Sequence, residues 1–314
     1  MEYRILGSTG LKVSAVSLGT WTMGGRWWGP ANDADSILAI QKAVDLGINF
    51  FDTADVYGLG HSEKILAQAL GDKRKDVIIA TKGGLRWNNK GQIKNDLSRE
   101  YIFKAVDESL KRLQTDYIDL YQAHWPDPNT SVEESVGALV ACVNAGKVRF
   151  LGASNLSPEQ LVEYRKYGPI ETLQPPLNLF ERQAEVQLLP FCYKENIGVF
   201  SYGALCRGLL TGKFKLDQVF KVQVRVRDPL FQGLTFRRNW AIVDKLKTMA
   251  KENERTVAQL AVAWVLAHVG VSSALCGARS PDQITESAGG ADWVLSPEDL
   301  LRIENILVTT QHEI

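Results

Sequence analysis

The sequence has little of what marks a secreted or membrane-spanning protein. Only four of its 314 residues are cysteines, and no two of them form a C-x-x-C pair. Such sparse cysteines disfavour a disulfide framework or a cysteine-rich metal site, so we expect no metal and a reducing compartment. No apolar run reaches the roughly 18 residues of a bilayer span. The first residues lack the basic and apolar pattern of a signal peptide, so we expect a cytoplasmic protein.

An excess of one charge sign is also missing. The 36 Lys and Arg residues balance the 36 Asp and Glu residues, so the formal net charge is zero. Nucleic acids and anionic membranes attract a basic surplus, and the sequence therefore predicts neither as a partner. There is no G-x-G-x-x-G after a strand, no P-loop and no H-E-x-x-H. A Rossmann cofactor domain, a P-loop hydrolase and that kind of zinc protease are thus unsupported.

Short apolar runs that alternate with amphipathic stretches are abundant. Eight runs are predicted as strands, over 16–18, 49–52, 77–81, 117–122, 148–152, 171–174, 198–202 and 273–277. Helical spacing of apolar residues separates them, as over 98–112. Ser131, Ser157 and Ser280 each stand three residues before Glu or Gln, which is the spacing of a capping box at a helix start. This alternation predicts an α/β fold, a (β/α)8 TIM barrel, with an open doubly wound sheet as the alternative.

Two segments fall outside the eightfold pattern. Residues 4–13 predict an N-terminal β-hairpin that plugs one end of the barrel. The interval between the last two strands holds a polar loop over 203–236 and helices over 237–253 and 256–267, and a further helix begins at Ser296. Long loops inside compact domains are usually functional. No linker divides the chain, so we expect a single domain over 1–314.

Four polar side chains lie at the carboxyl ends of predicted strands or just beyond them. Asp52, Lys82 and His124 end the second, third and fourth predicted strands, and Tyr57 follows in the loop after Asp52. Each has a non-catalytic alternative: a turn cap, a solvated lysine, a core histidine and a packed aromatic, respectively. Because barrel active sites are built at this rim, we expect the four side chains to meet.

Together these residue types form an apparatus for proton delivery. An ammonium beside a phenol lowers the pKa of the phenol, and a carboxylate holds the ammonium in place. A neighbouring imidazole orients a carbonyl oxygen and shares the proton transfer. The set therefore predicts proton delivery to a carbonyl oxygen while hydride reaches its carbon.

The contexts of these residues resemble the aldo-keto reductase family. The segments LGSTGLKVS (6–14) and FDTADVYG (51–58) carry the resemblance, which extends over essentially the whole chain. The eighth predicted strand ends in Gly-Ala-Arg, as in the bacterial branch that includes the general-stress and inositol-operon reductases. The resemblance implies a (β/α)8 barrel, NADPH/NADP+ as cofactor, and Asp52, Tyr57, Lys82 and His124 as the catalytic tetrad.

The resemblance also implies the cofactor contacts. The residues implied at the nicotinamide end are Gly19, Thr20, Trp21, Asp52, Ser154, Asn155, Gln174 and Tyr202. Those implied in the loop across the pyrophosphate are Gly203, Leu205, Arg207, Gly208 and Lys213. Those implied at the adenosine end are Gly277, Ala278, Arg279, Gln283, Glu286 and Ser287. The charge of Arg279 beside a helix start suits a 2′-phosphate, whereas Gln283 has an alternative role in the helix cap.

The predicted rim loops are rich in tryptophan, which indicates an aromatic-walled substrate pocket. We expect Trp21, Trp87 and Trp125 to form it, with rim packing as the alternative. Trp27 and Trp28 are weaker candidates for the same wall. Aldehydes with aromatic or aliphatic groups fit such a pocket.

The resemblance implies reversible, NADPH-dependent reduction of aldehydes and ketones to alcohols, with Tyr57 as general acid and a small-molecule carbonyl substrate. The alternative is a regulatory barrel subunit that senses the nicotinamide cofactor and turns over slowly, because some barrels of this family serve ion channels and fold alone does not fix function. The physiological direction stays open. We expect a monomer, since no sizeable apolar helix face is evident in the sequence.

Overall fold

Eight parallel strands close into a barrel in the computed structural model, which describes residues 1–311. Residues 312–314 of the predicted single domain lie outside the described residues. The first to eighth barrel strands are, in chain order, Val16–Gly19, Phe50–Asp52, Ile78–Gly83, Ile118–Ala123, Val148–Ser154, Thr172–Gln174, Gly198–Tyr202 and Val271–Gly277.

The strands pair in chain order, and the eighth pairs with the first, so the sheet has no free edge. This closure confirms the predicted (β/α)8 barrel and excludes the open sheet. All eight predicted strands are present, with ends shifted by one or two residues. The eighth begins earlier than expected, at Val271, because that residue pairs with Val199 of the seventh strand. Two serines follow Val271 and interrupt the apolar pattern in the sequence.

Helices occupy the connections between the strands and the segment after the eighth strand. They are Asp33–Asp45, His61–Leu70, Arg99–Leu113, Val132–Asn144, Pro158–Arg165, Leu188–Lys194, Gln223–Val226, Gly233–Glu252, Val257–Leu266, Pro281–Ala288 and Pro297–Gln311. Of the three predicted capping boxes, only the one at Ser157 is complete. Ser131 and Ser280 also cap their helices, but Glu134 and Gln283 accept from other backbone N–H groups.

The predicted N-terminal hairpin closes the amino-terminal end of the barrel. Its strands are Tyr3–Ile5 and Lys12–Ser14. Leu6 and Val13 are fully buried in one apolar cluster with Phe50, the first residue of the second barrel strand. The hairpin thus fills the end of the barrel with side chains and leaves the opposite rim for the site.

Close backbone contact fixes the hairpin against the barrel. A Cβ atom on Gly7 would lie 2.1 Å from the backbone nitrogen of Gly198, where the seventh strand begins. Gly7 also has a positive φ of 51°. Glycine satisfies both conditions without a steric penalty.

The carboxyl-terminal rim carries the longer connections. After the third strand, Leu85–Trp87 pairs with Ile93–Asn95 in a hairpin whose three-residue strands are too short to predict. The segment that follows the seventh strand contains a 3-10 helix at Cys206–Thr211 and the short helix Gln223–Val226. Within residues 1–311, no helix is long and apolar enough to cross a bilayer.

Candidate active site

The four predicted catalytic residues meet at the carboxyl-terminal rim of the barrel. Asp52 is the last residue of the second strand, and Lys82 lies one residue before the end of the third. His124 directly follows the fourth strand, and Tyr57 lies in the loop after the second. Parallel pairing places Lys82 opposite Gln122 of the fourth strand, so neighbouring strand ends face the same space.

Lys82 is the centre of the hydrogen bonds in this group. Its Nζ donates to Asp52 Oδ1 at 2.6 Å, to the carbonyl oxygen of Thr53 at 2.9 Å and to the hydroxyl oxygen of Tyr57 at 3.3 Å. Lys82 and Asp52 are buried, whereas Tyr57 is half-buried and lines the cleft above them. The ammonium therefore connects a buried carboxylate to a phenol that a substrate can reach.

Asp52 is held by further donors. Its Oδ2 accepts from Gln174 Nε2 at 2.8 Å and from Gln122 Nε2 at 3.5 Å. Burial raises the pKa of Asp52 and lowers the pKa of Lys82, and the charge of each opposes the effect on the other. The direct contact and the amide donors favour the ion pair over two neutral groups.

His124 lies beside the phenol as a neutral ring. The centroids of the His124 and Tyr57 rings are 5.7 Å apart in an edge-to-face arrangement. Burial, and then the nearby charge of Lys82, hold the pKa of His124 well below its ordinary value. A neutral imidazole has one N–H donor and one acceptor, so it can orient a carbonyl oxygen without protonating it.

The pKa of Tyr57 differs from the expectation drawn from the sequence. Burial raises the pKa of this phenol well above its ordinary value, and the carboxylate of Asp52 adds to the effect. The lowering expected from the sequence is wrong, because burial and the nearby Asp52 and Asp55 carboxylates all raise this pKa. Tyr57 therefore keeps its proton at neutral pH and can serve as a donor.

A cleft of about 640 Å³ opens above the four residues. That volume is typical of small-molecule and cofactor sites. The predicted cofactor contacts that line it are Gly19, Trp21, Asp52, Ser154, Asn155, Gln174, Tyr202, Gly203, Leu205, Arg207, Gly208, Lys213, Gly277, Arg279, Gln283, Glu286 and Ser287. Thr20 and Ala278 do not line it. Both are buried beneath its wall, where their carbonyl oxygens accept from Ser62 and Thr22.

The tryptophan wall differs in part from the prediction. Trp21 and Trp125 line the cleft, together with Trp27 and Trp28. The structure does not bring Trp87 to the cleft. The segment after the third strand folds as a hairpin, and of its paired residues only Leu85 is among the lining residues. Nothing in the sequence pattern distinguishes Trp87 from the other rim tryptophans.

Cationic side chains also line the cleft. Arg207 forms ion pairs with Glu181, at 3.1 Å, and with Asp228. Arg225 and Arg227, which the sequence interpretation missed, also line the cleft. They belong to an irregular segment whose place is decided by tertiary contacts rather than by a local pattern. A cleft lined by five cations, Lys213 and Arg279 among them, suits phosphate groups.

The shape of the cleft also fits a dinucleotide with phosphates near Gly208. This glycine has a φ of 92°, and a Cβ atom on it would lie 3.2 Å from Nη2 of Arg225. A side chain there would press on the arginine and cover the backbone. Near Asp52 and His124, the side chains of Ser154, Asn155 and Gln174 line the cleft with hydroxyl and amide groups of the kind that bind a carboxamide. The residues present therefore fit a nicotinamide cofactor.

Comparison with known proteins agrees with this geometry. The model of the aldo/keto reductase family matches residues 15–308. The chain is 43% identical to the aldo-keto reductase YhdN of Bacillus subtilis, over 99% of this chain and 95% of that protein. Among solved structures, it is similar to the glycerol dehydrogenase AKR11B4 from Gluconobacter oxydans, with a TM-score of 0.91, 42% identity and coverage of 98% and 95%.

Two more distant relatives carry other descriptions. The chain is 34% identical to the NADH-specific methylglyoxal reductase of Escherichia coli, over 94% of each chain. It is 35% identical to a probable voltage-gated potassium channel subunit beta of Arabidopsis thaliana, over 98% of this chain and 97% of that protein. The closed barrel, the hydrogen-bonded group around Lys82 and these matches lead to one conclusion: the chain belongs to the aldo/keto reductase family, and its relatives support carbonyl reduction with a nicotinamide cofactor.

Proposed function

We propose that this protein is an NADPH-dependent reductase of small aldehydes and ketones that also catalyses the reverse oxidation. One observation carries the proposal. The buried Lys82 ammonium joins Asp52 to the hydroxyl of Tyr57 at the surface of a cleft of cofactor size. Such a group delivers a proton to a substrate oxygen, which a sensor of the cofactor does not require.

The side chains of the site take distinct roles in this proposal. The nicotinamide, when bound, supplies hydride to the carbonyl carbon. Tyr57 donates its proton to the carbonyl oxygen and is left as a phenolate. Lys82 stabilises that phenolate from its position 3.3 Å away, and Asp52 keeps Lys82 charged and in place. His124, as a neutral ring, orients the carbonyl oxygen.

The preference for NADPH over NADH is the finer part of the proposal. Its support is the set of cations that line the cleft, among them Arg279, which lies just before the helix Pro281–Ala288. A 2′-phosphate gains from both the charge and the helix N-terminus. Because one relative is described as NADH-specific, the two cofactors must be compared directly.

The substrate wall favours carbonyl compounds with an apolar group. Trp21, Trp28 and Trp125 surround the entrance to Tyr57, and Val56 and Leu85 add apolar area. Aromatic and aliphatic aldehydes bury such area without an unpaired charge. We expect the protein to act as a cytoplasmic monomer of one domain.

A direct assay tests the proposal. Purified protein is mixed with NADPH or NADH and a panel that includes 4-nitrobenzaldehyde, methylglyoxal and, for the reverse direction, glycerol with NADP+. Loss of reduced-cofactor absorbance that is faster with NADPH supports both the carbonyl reductase activity and the preference for NADPH. Equal rates with both cofactors contradict the NADPH preference alone.

A regulatory subunit that senses the cofactor is the second candidate, and the similarity to the channel subunit supports it. Tight NADPH binding without turnover of any panel member, measured by fluorescence titration, favours this candidate. Absence of both binding and turnover contradicts both candidates.

A further inference from the structure

Arg279 supports the loop that follows the first barrel strand. Its Nε donates to the carbonyl oxygen of Thr22 at 3.0 Å, and its Nη2 donates to that of Trp28 at 2.8 Å and that of Gly29 at 3.3 Å. Its Nη1 donates to the carbonyl oxygen of Pro30 at 3.4 Å. One guanidinium thus connects both ends of an irregular loop.

These contacts use most of the hydrogen-bonding capacity of the side chain. A guanidinium has five N–H donors, and the contacts to four carbonyl oxygens leave one of them for other partners. A lysine cannot replace this arrangement, because its three donors radiate from a single nitrogen. Because Arg279 also lines the cleft, the remaining N–H lets the same residue serve both the cofactor and the loop.

The supported loop carries part of the tryptophan wall. Trp27 and Trp28 line the cleft. The ring of Trp28 packs edge-to-face on Trp21 with centroids 5.3 Å apart, and Trp21 stacks on Tyr57 at 6.1 Å. A chain of ring contacts therefore leads from the carbonyl group that Arg279 holds to the phenol of the site.

A second arginine, which also lines the cleft, packs against the same wall. The guanidinium of Arg225 lies 5.5 Å from the ring centroid of Trp28, and its Nε donates to the carbonyl oxygen of Arg207. The backbone N–H of Val224 donates to the carbonyl oxygen of Trp27 at 3.4 Å. The wall is thus held between two segments, but among residues 1–311 only Arg279 anchors the loop at several carbonyl oxygens.

We propose that Arg279 is a positioning residue that sets the tryptophan wall of the substrate pocket, and thereby the selectivity for bulky over small carbonyl substrates. The inference rests on the proposed reductase function. It adds a role for Arg279 toward the substrate that is separate from any contact with the cofactor. Without the arginine, the backbone at Trp28 loses its anchor and the wall fits an aromatic substrate less closely.

The experiment uses NADH at saturation, because NADH lacks the 2′-phosphate that Arg279 is proposed to contact. In Arg279→Ala and Arg279→Lys, we expect KM for 4-nitrobenzaldehyde to rise about fivefold or more while kcat changes less. KM for methylglyoxal, which is too small to need the wall, stays within about twofold. Arg255→Ala is the matched control. Arg255 also donates to a loop carbonyl oxygen, that of Gly289, but it is not among the residues that line the cleft.

A second readout needs neither cofactor nor turnover. The indole nitrogens of Trp21 and Trp28 are buried, so loosening of the loop increases acrylamide quenching of tryptophan fluorescence. We expect stronger quenching in both Arg279 variants than in wild type or Arg255→Ala. Adding Trp28→Phe to Arg279→Ala removes much of that increase. Circular dichroism checks that each variant is folded. If Arg279→Ala does not fold, the comparison is made with Arg279→Lys alone.

The outcomes separate this inference from the proposed function. Unchanged quenching together with an unchanged KM for 4-nitrobenzaldehyde in Arg279→Ala overturns the inference. An equal rise in KM for both aldehydes also overturns it, because the wall would then not select by size. If wild type turns over no carbonyl compound, the proposed function fails, and unchanged quenching in the folded variants still decides against the structural role of Arg279.

Discussion

The Nζ atom of Lys82 lies 2.6 Å from Oδ1 of Asp52, and both side chains are almost completely withdrawn from solvent. The same nitrogen donates to the hydroxyl of Tyr57 at 3.3 Å. This buried pair therefore sets both the stability of the rim and the chemistry of the phenol. Removal of one partner leaves the other as an isolated buried charge, which is more costly than the absence of both.

Replacement of Lys82 by methionine tests this coupling. We expect Lys82→Met to lower the free energy of unfolding by about 3–5 kcal/mol and kcat by about 10²-fold or more. The double variant Asp52→Asn with Lys82→Met regains much of the stability, because neither group is then charged, but no activity. Denaturant titration and initial rates measure the two effects. A double variant that is less stable than Lys82→Met contradicts the ion pair.

The pH dependence of the two reaction directions follows from the raised pKa of Tyr57 and the lowered pKa of His124. Between pH 6.5 and 9, Tyr57 stays protonated and His124 stays neutral, so the rate of reduction in single turnovers is flat. Oxidation of an alcohol needs the phenolate, whose fraction rises about tenfold per pH unit below the pKa. A midpoint near pH 7–8 in the reduction profile would mean that the pKa of Tyr57 is lowered instead.

The affinity for the cofactor tests whether the loop after the seventh strand binds the cofactor phosphates. Lys213 lines the cleft and lies 3.6 Å from Glu286. We expect Lys213→Ala to raise Kd about tenfold for NADPH and for NADH alike, because both share the pyrophosphate. Lys215→Ala, a charge change two residues away that is not among the lining residues, serves as control and leaves both Kd values unchanged. Loss of NADPH binding alone in Lys213→Ala would assign this lysine to the 2′-phosphate.

The closed end of the barrel offers a test of the fold itself. A Cβ atom on Gly7 meets the backbone of Gly198, whereas a Cβ atom on Gly10 meets nothing within 4 Å. Both glycines have a positive φ, of 51° and 69°. We expect Gly7→Ala to cost about 3 kcal/mol of unfolding free energy and Gly10→Ala about 1 kcal/mol. Equal costs in denaturant titrations would mean that the hairpin does not pack against the seventh strand as described.

The sequence was sufficient to predict the barrel and to bring the four polar residues together. Each of these residues lies at or near the end of a strand with a clear apolar pattern, and parallel strands of a barrel share one rim. To predict that Asp52, Lys82 and His124 lie close together, it was therefore enough to locate the ends of three strands. The hairpin plug was also predictable, because residues 4–13 contain the turn sequence Ser8-Thr9-Gly10.

Features that depend on tertiary contact were not predictable. Trp87 and Trp28 look alike in the sequence, but only the fold places one on a hairpin away from the cleft and the other in its wall. Arg225 belongs to a segment without periodicity, so nothing indicated its place beside Trp28. The prediction that the pKa of Tyr57 is lowered was wrong for a similar reason, because burial cannot be deduced from the order of residues alone.

The most direct test of the central claim is a comparison of Tyr57→Phe with wild type. The account predicts that reduction of 4-nitrobenzaldehyde falls about 10²-fold or more while Kd for NADPH, measured by fluorescence titration, stays within about twofold. This variant removes only the hydroxyl that Lys82 contacts and keeps the ring beside Trp21 and His124. Unchanged turnover in Tyr57→Phe, with cofactor binding intact, would show that another group delivers the proton and would contradict the account.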